Sequence, residues 1–239
     1  MNPLDFTGRA VVVTGGTRGI GAAIAHAFRM AGANVLVCGR SLAEVPGYVQ
    51  ADVRDPEQAA ALIETAVDRF GRLDVLVNNA GGSPQVMAAD ASPRLHAKVI
   101  ELNLIAPLHV SQAAFPVMRD QRGGGSILMI ASVSGVRPSP GTAAYGAAKA
   151  GLLHLAASLA VEWAPFVRVN SLVVGPVGGP AGELVAGRAA DPADVAGACL
   201  LLASPLAGYV SGAALAVHGG GEWPAYLAEF RGAAYPPQK

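Results

Sequence analysis

Tyr145 and Lys149 lie four residues apart in the helical stretch that follows Pro140-Gly141-Thr142. That spacing puts both side chains on one face, one turn apart. A phenol ordinarily titrates near pH 10, so it is a poor proton donor or acceptor at neutral pH. An ammonium one turn away favours the phenolate and brings that pKa down. Such a pair suits proton exchange with the oxygen of a carbonyl or an alcohol. Lysine is scarce, with only Lys98, Lys149 and Lys239 against 14 arginines, and a compact ammonium at this position also suits ribose hydroxyls. On its own the pair reads first as a solvated Tyr and Lys on an exposed helix face. Ser132 argues against that, because it ends an apolar run thirteen residues before Tyr145, where doubly wound sheets place ligand-contacting residues. A second motif, Thr14-Gly15-Gly16-Thr17-Arg18-Gly19-Ile20-Gly21, joins a β-branched run to a helix. Its glycines permit a tight turn and close backbone approach, and the helix start offers unpaired N–H groups to a pyrophosphate.

The elements that position these residues are legible as alternation. Residues 9–14, 34–38, 73–78, 126–131, 167–173 and 214–218 read as strands, with a weaker one at 48–51. Most are apolar without a clean polar alternation, as in strands covered on both faces. Asp55-Pro56, Ser92-Pro93 and Asp191-Pro192 each place a capping residue before a proline at the first helical position, where its missing N–H costs nothing. Strands alternating with helices through right-handed crossovers give an α/β fold. We expect one doubly wound parallel sheet of about seven strands, helices on both faces, and one domain over residues 1–239.

Composition excludes several classes. Apolar residues form 52% of the chain and charged residues 14%, which excludes intrinsic disorder. The 17 basic and 17 acidic side chains cancel without a Lys/Arg cluster, so neither nucleic acid nor an anionic membrane is an expected partner. The first residues lack a secretory pattern and no run reaches the ~18 apolar residues of a membrane span, so a cytoplasmic location is expected. Cys38 and Cys199 sit in apolar runs as buried thiols, and the five histidines show no metal-ligand spacing. No metal is expected.

The GxxxGxG spacing resembles that of the short-chain dehydrogenase/reductase family, and the likeness runs from about residue 6 to 220. Asn78-Asn79-Ala80-Gly81 resembles that family's NNAG motif, and Asp52-Val53 its adenine-contacting pair. Asn103, Ser132, Tyr145 and Lys149 match its catalytic four in order and spacing. The resemblance implies a Rossmann-type domain that moves a hydride between a nicotinamide cofactor and a ketone or secondary alcohol. Tyr145 would be the acid/base and Ser132 would hold the substrate oxygen, with Ser134 a rival that the family spacing disfavours. Lys149, with the charge of the oxidised nicotinamide, would lower the tyrosine pKa and bind ribose. Asn103 would anchor a water relaying protons to Lys149. It also reads, within the apolar stretch 100–110, as a polar residue that bends a helix.

By the same resemblance the cofactor meets Gly15, Thr17, Arg18, Gly19, Ile20, Gly21, Gly39, Arg40, Asp52, Val53, Asn79, Ala80, Gly81, Tyr145, Lys149, Gly175 and Val177. After the second strand, Cys38-Gly39-Arg40-Ser41 carries no carboxylate for a ribose 2′-hydroxyl. Arg40 and Arg18 suit a 2′-phosphate instead, so NADP(H) is favoured over NAD, unless both arginines are simply solvated. The substrate is expected to be a small carbonyl or alcohol. Rival readings are 3-oxoacyl-thioester reduction, a regulatory nucleotide-binding protein without turnover, and sugar-nucleotide epimerisation, which would normally need a longer chain.

One departure from the family pattern stands out. The segment at about 174–190 looks more than a dozen residues short, with Val174 where proline and Gly179 where threonine usually stand. It is too short for the usual two-helix lid, so either the cleft is open or the tail at 221–239, with Trp223, Tyr226 and Phe230, covers it. Small residues crowd the catalytic helix at Ala143, Ala144, Ala147, Ala148, Ala150 and Gly151. They allow another helix to pack closely, and a homodimer or homotetramer is expected.

Overall fold

In the computed structural model, which describes residues 2–179 and 184–222, seven strands form one parallel sheet. They are β1 (Ala10–Thr14), β2 (Asn34–Gly39), β3 (Tyr48–Gln50), β4 (Val75–Asn78), β5 (Gly125–Ser132), β6 (Val167–Val174) and β7 (Ala214–Val217). Their order across the sheet is β3-β2-β1-β4-β5-β6-β7. The chain steps outward from β1 to β2 and β3, then returns to lay β4 against the other side of β1. That reversal opens a crevice at the carboxyl ends of β1 and β4.

Among the described residues six helices flank the sheet: α1 (Gly19–Met30), α2 (Pro56–Phe70), α3 (Pro93–Ile100), α4 (Ala106–Asp120), α5 (Ala143–Glu162) and α6 (Pro192–Ala203). Alternation along each strand sends successive side chains to opposite faces. Val12, Leu36, Leu76, Ile127 and Met129 join one core with α2, α4 and α5. Val11, Val13, Val37, Val77 and Leu128 join a second core with α1 and α6. Both faces are apolar, which is why the strands show no polar alternation in sequence. Each such side chain contributes about 1.5–3 kcal/mol by leaving water. The edge strand β7 differs: Ala214 and Ala216 are exposed.

The three proline-marked helix starts are capped as their sequences imply. Asp55 accepts from the N–H groups of Glu57 and Gln58, Ser92 from that of Leu95, and Asp191 from that of Ala193. By length and composition α5 would reach across a membrane. It packs instead on β5 and β6, with Ala148, Lys149, Leu152 and Ala156 buried.

Candidate active site

Of the catalytic four and the cofactor contacts expected from the sequence, every residue except Asn103 lines one cavity of about 750 Å³ above the carboxyl ends of the central strands. At its centre β1 turns into α1. Gly19 has φ of +53°, a conformation that a side chain would strain. A Cβ on Gly21 would lie 2.3 Å from the Gly15 carbonyl oxygen and 2.4 Å from Asn79 Nδ2, so only glycine lets this turn close. The Asn79 side chain ties the two strand ends together, its Nδ2 donating to the carbonyls of Thr14 at 2.9 Å and Gly15 at 3.1 Å. Thr14 Oγ1 accepts from the N–H groups of both Asn79 and Ala80, each at 3.0 Å. Helix α1 begins without a side-chain cap and with no acid in its first turn. Its open N–H groups and positive dipole end thus face the cavity, as a pyrophosphate requires.

At or just after the ends of β2 and β3 lie Gly39, Arg40, Asp52 and Val53, which line the cavity. The Asp52 carboxylate is paired to Arg54, with Arg54 Nε donating to Oδ1 at 2.9 Å and Nη2 to Oδ2 at 2.5 Å. That hydrogen bonding holds the carboxyl below its usual pKa. Arg18 and Arg40 line the same cavity.

Ser132 ends β5, while Tyr145 and Lys149 project from one face of α5. The two elements are joined by a hydrogen bond that sequence does not reveal: Lys149 Nζ donates to the Ile130 carbonyl at 2.7 Å. Lys149 is only 3% exposed, and burial brings its pKa down to about 8. Its ammonium lies 5.6 Å from the centre of the Tyr145 ring. The phenol departs from the expected depression. Burial raises its pKa, while the neighbouring Ser132 hydroxyl pulls the other way. The lysine is directed at a carbonyl rather than at the phenol oxygen, and both groups have lost water, so desolvation outweighs attraction. Ser134, the rival to Ser132, is occupied elsewhere, accepting a hydrogen bond from Ser139 at 3.0 Å.

Asn103 is fully buried behind the cavity in a π-helical turn, Glu101–Ile105, between α3 and α4. The Asn103 carboxamide donates to the carbonyls of Val99 at 2.8 Å and Gly82 at 2.9 Å, and accepts from the Gly82 N–H at 2.9 Å. It therefore does interrupt a helix, and it pins the loop after β4. A Cβ on Gly81 would meet Asn103 Oδ1 at 2.7 Å and Lys149 Nζ at 3.3 Å, so both groups flank that glycine.

At the far end, Gly175 and Val177 follow β6. The shortened segment closes through a bridge from Val177 to Ala190, and a second bridge joins Leu184 to Glu222. The described residues between 177 and 190 contain no helix. Residues 180–183 and the tail aromatics Trp223, Tyr226 and Phe230 lie outside the described residues.

Residues 9–184 match the family described as short chain dehydrogenase. The chain is a short-chain dehydrogenase. An uncharacterized oxidoreductase of Mycobacterium tuberculosis is 36% identical to it, over 90% of this chain and 93% of the relative. The trans-4-hydroxycyclohexanecarboxylate dehydrogenase of Sinomonas cyclohexanicum is 35% identical, over 89% and 92%. The L-fucose dehydrogenase of Bos taurus is 33% identical, over 91% and 90%. The crystal structure of gox2181 superposes with a TM-score of 0.85 at 28% identity, covering 91% of this chain and 97% of that one. This short-chain dehydrogenase is thus an NAD(P)-dependent oxidoreductase of Rossmann fold. Among its described residues no cluster of three or more His, Cys, Asp or Glu side chains is arranged for a metal ion.

Proposed function

We propose that this short-chain dehydrogenase interconverts a ring ketone and the corresponding secondary alcohol, and prefers NADP(H) to NAD(H). The observation that carries the reading is the convergence of Ser132, Tyr145 and Lys149 on the cavity that also holds the glycine turn. Bound nicotinamide supplies or accepts the hydride. Tyr145 exchanges the proton at the substrate oxygen, and Ser132 holds that oxygen beside it. Because burial keeps the phenol protonated at neutral pH, the resting site is poised to donate, which favours carbonyl reduction there and alcohol oxidation at higher pH. Lys149 braces α5 on β5 and offers N–H donors to ribose. Asn103 acts from behind, through Gly82.

The cofactor preference rests on Gly39, Arg40 and Arg18. No carboxylate follows β2 to accept from a 2′-hydroxyl, and two guanidiniums line the rim. The substrate class rests on the short 177–190 segment, which leaves room for a bulky ring, and on relatives named for a hydroxycyclohexane carboxylate and for sugars. We further propose a dimer or tetramer, packed through the small residues of α5. A mass near 24 kDa by light scattering would refute that.

The test is an absorbance screen of NADPH and NADH oxidation across cyclic, aliphatic and β-keto thioester carbonyls, run alongside Tyr145→Phe. Turnover in the variant should fall by on the order of a hundredfold or more, while NADPH binding changes little. More than a few per cent of wild-type turnover in the variant would remove Tyr145 from its role.

A further inference from the structure

We infer that Arg54 governs the discrimination between a 2′-phosphate and a 2′-hydroxyl, by capturing the Asp52 carboxylate that would otherwise engage Arg40. The inference deepens the cofactor reading above and rests on its assignment of the 2′-phosphate to Arg18 and Arg40.

Asp52 is the acid that lines the cavity beside Arg40. Left ionised and unpaired there, it would act twice against a phosphate dianion. It would repel the phosphate directly, and it would draw the Arg40 guanidinium onto itself. The two residues leave adjoining strand ends, since the Ala51 N–H, just before Asp52, donates to the carbonyl of Gly39, just before Arg40, at 3.0 Å. Arg54 prevents both effects through three N–H groups of one residue. Its backbone N–H donates to Asp52 Oδ1 at 3.2 Å, its Nε to Oδ1 at 2.9 Å, and its Nη2 to Oδ2 at 2.5 Å. A planar guanidinium matches a carboxylate in this two-pronged way, and an ammonium does not.

The surroundings hold that pair in place. The Asp52 N–H donates to Gln58 Oε1 at 2.9 Å, and the Gln58 amide donates in turn to the N-cap Asp55 at 2.8 Å. Asp52 is therefore tied to the first turn of α2. Glu101, the first residue of the π-helical turn, adds a second negative charge that favours the Arg54 cation. On the other side, Gln50 Nε2 donates to the Arg40 carbonyl at 2.8 Å and fixes the Arg40 backbone at the rim. Among the described residues the Arg40 guanidinium makes no ion pair, whereas that of Arg54 is paired with Asp52 through Nε and Nη2. The two arginines divide the work: one neutralises the carboxylate and the other is left for the cofactor.

The experiment measures dissociation constants for NADPH and NADH, by titration of nicotinamide fluorescence, in wild type, Arg54→Ala, Asp52→Asn, the double variant and Arg54→Lys. Thermal melts of each confirm that the fold is retained. In Arg54→Ala the ratio Kd(NADH)/Kd(NADPH) should fall by roughly tenfold, the loss expected when one charge-assisted contact is given up. Asp52→Asn should leave the ratio within about threefold of wild type, and the double variant should regain the wild-type ratio because no carboxylate remains to be captured. Arg54→Lys should fall between. An Arg54→Ala protein that loses both cofactors equally, or a defect that persists in the double variant, would overturn the inference. If Arg54→Ala does not fold, Arg54→Lys and the double variant decide the matter on the same ratio. Wild-type preference for NADH would refute the NADP(H) reading separately, since the ratio would still move toward NADH in Arg54→Ala if Arg54 acts as argued.

Discussion

Lys149 Nζ donates to the carbonyl of Ile130 at 2.7 Å, two residues before Ser132 on the same strand. One hydrogen bond thus sets the spacing between the helix that carries Tyr145 and the strand that carries Ser132. The charge is held almost without water, and that has a consequence for stability.

The Lys149 pKa falls from 10.5 to about 8 because burial disfavours the ammonium. Between those values the unfolded chain binds more protons than the cofactor-free folded chain, so stability rises with pH across this window. Below about pH 8 the penalty is complete, at up to about 3 kcal/mol. The difference in unfolding free energy between wild type and Lys149→Met should therefore shift in favour of wild type by as much as about 3 kcal/mol from pH 7 to 10.5. Urea unfolding of both proteins at several pH values checks this. A difference that stays flat with pH would mean that Lys149 is solvated.

Exchanging Gly39 for Asp while removing Arg40 should move preference toward NADH. A Cβ at Gly39 would approach nothing closer than Thr17 Cγ2 at 3.5 Å, so a carboxylate fits there without strain. It would accept from a 2′-hydroxyl and repel a 2′-phosphate. Losing one charge-assisted contact costs about 1.5–3 kcal/mol, so NADPH affinity should drop about tenfold or more. Equal use of both cofactors by the wild-type enzyme would undercut the role given to Arg18 and Arg40.

Asn103→Leu keeps the side-chain volume but strands the Gly82 N–H and the carbonyls of Gly82 and Val99, all now bonded to the Asn103 carboxamide. Unpaired buried groups cost about 1–3 kcal/mol each, so a loss of about 3 kcal/mol or more is expected. At roughly 2–4 °C per kcal/mol the melting temperature should fall by about 10 °C. If scanning calorimetry finds less than about 2 °C, the Gly82 loop is held by other contacts.

What the sequence made legible here depended on local rules. The capped prolines at 55–56, 92–93 and 191–192 placed the starts of three helices, and the apolar runs placed six strands to within two residues. The glycine turn, Ser132, Tyr145 and Lys149 were legible because their chemistry is carried by side-chain identity and spacing. The rest depended on distance. The Ile130 carbonyl that receives Lys149 is a backbone atom, present at every residue and silent in composition. The Arg54–Asp52 pair lies two residues apart, yet many such pairs are solvated, and only the cavity beside Asp52 gives this one a purpose. The rise in the Tyr145 pKa was illegible for a similar reason: four-residue spacing reports proximity, whereas the sign of the shift is set by burial.

The final prediction concerns the shortened segment after β6. Leu184 is bridged to Glu222, the Val185 N–H donates to the Gly221 carbonyl at 2.9 Å, and Glu222 pairs with Arg137 on the loop after β5. Three separate stretches thus meet at Glu222, its backbone joining the 184–185 stretch and its carboxylate joining Arg137. Both partners are about two-fifths exposed, and such surface pairs contribute at most about 1 kcal/mol. Removing the pair should hardly change the fold. What it changes is the order of the segment that continues from the cavity residue Val177, and an ordered border reduces the entropy lost when substrate binds. Glu222→Ala should therefore raise KM for the carbonyl substrate by about threefold or more, while the NADPH dissociation constant is unchanged and the melting temperature moves by less than about 3 °C. Arg137→Ala should match it, and the double variant should be no worse than either single one, because the two changes break the same contact. Additive losses would show that each residue meets the substrate on its own account. An unchanged KM in all three variants would mean that the cleft is open and that this border takes no part in holding substrate.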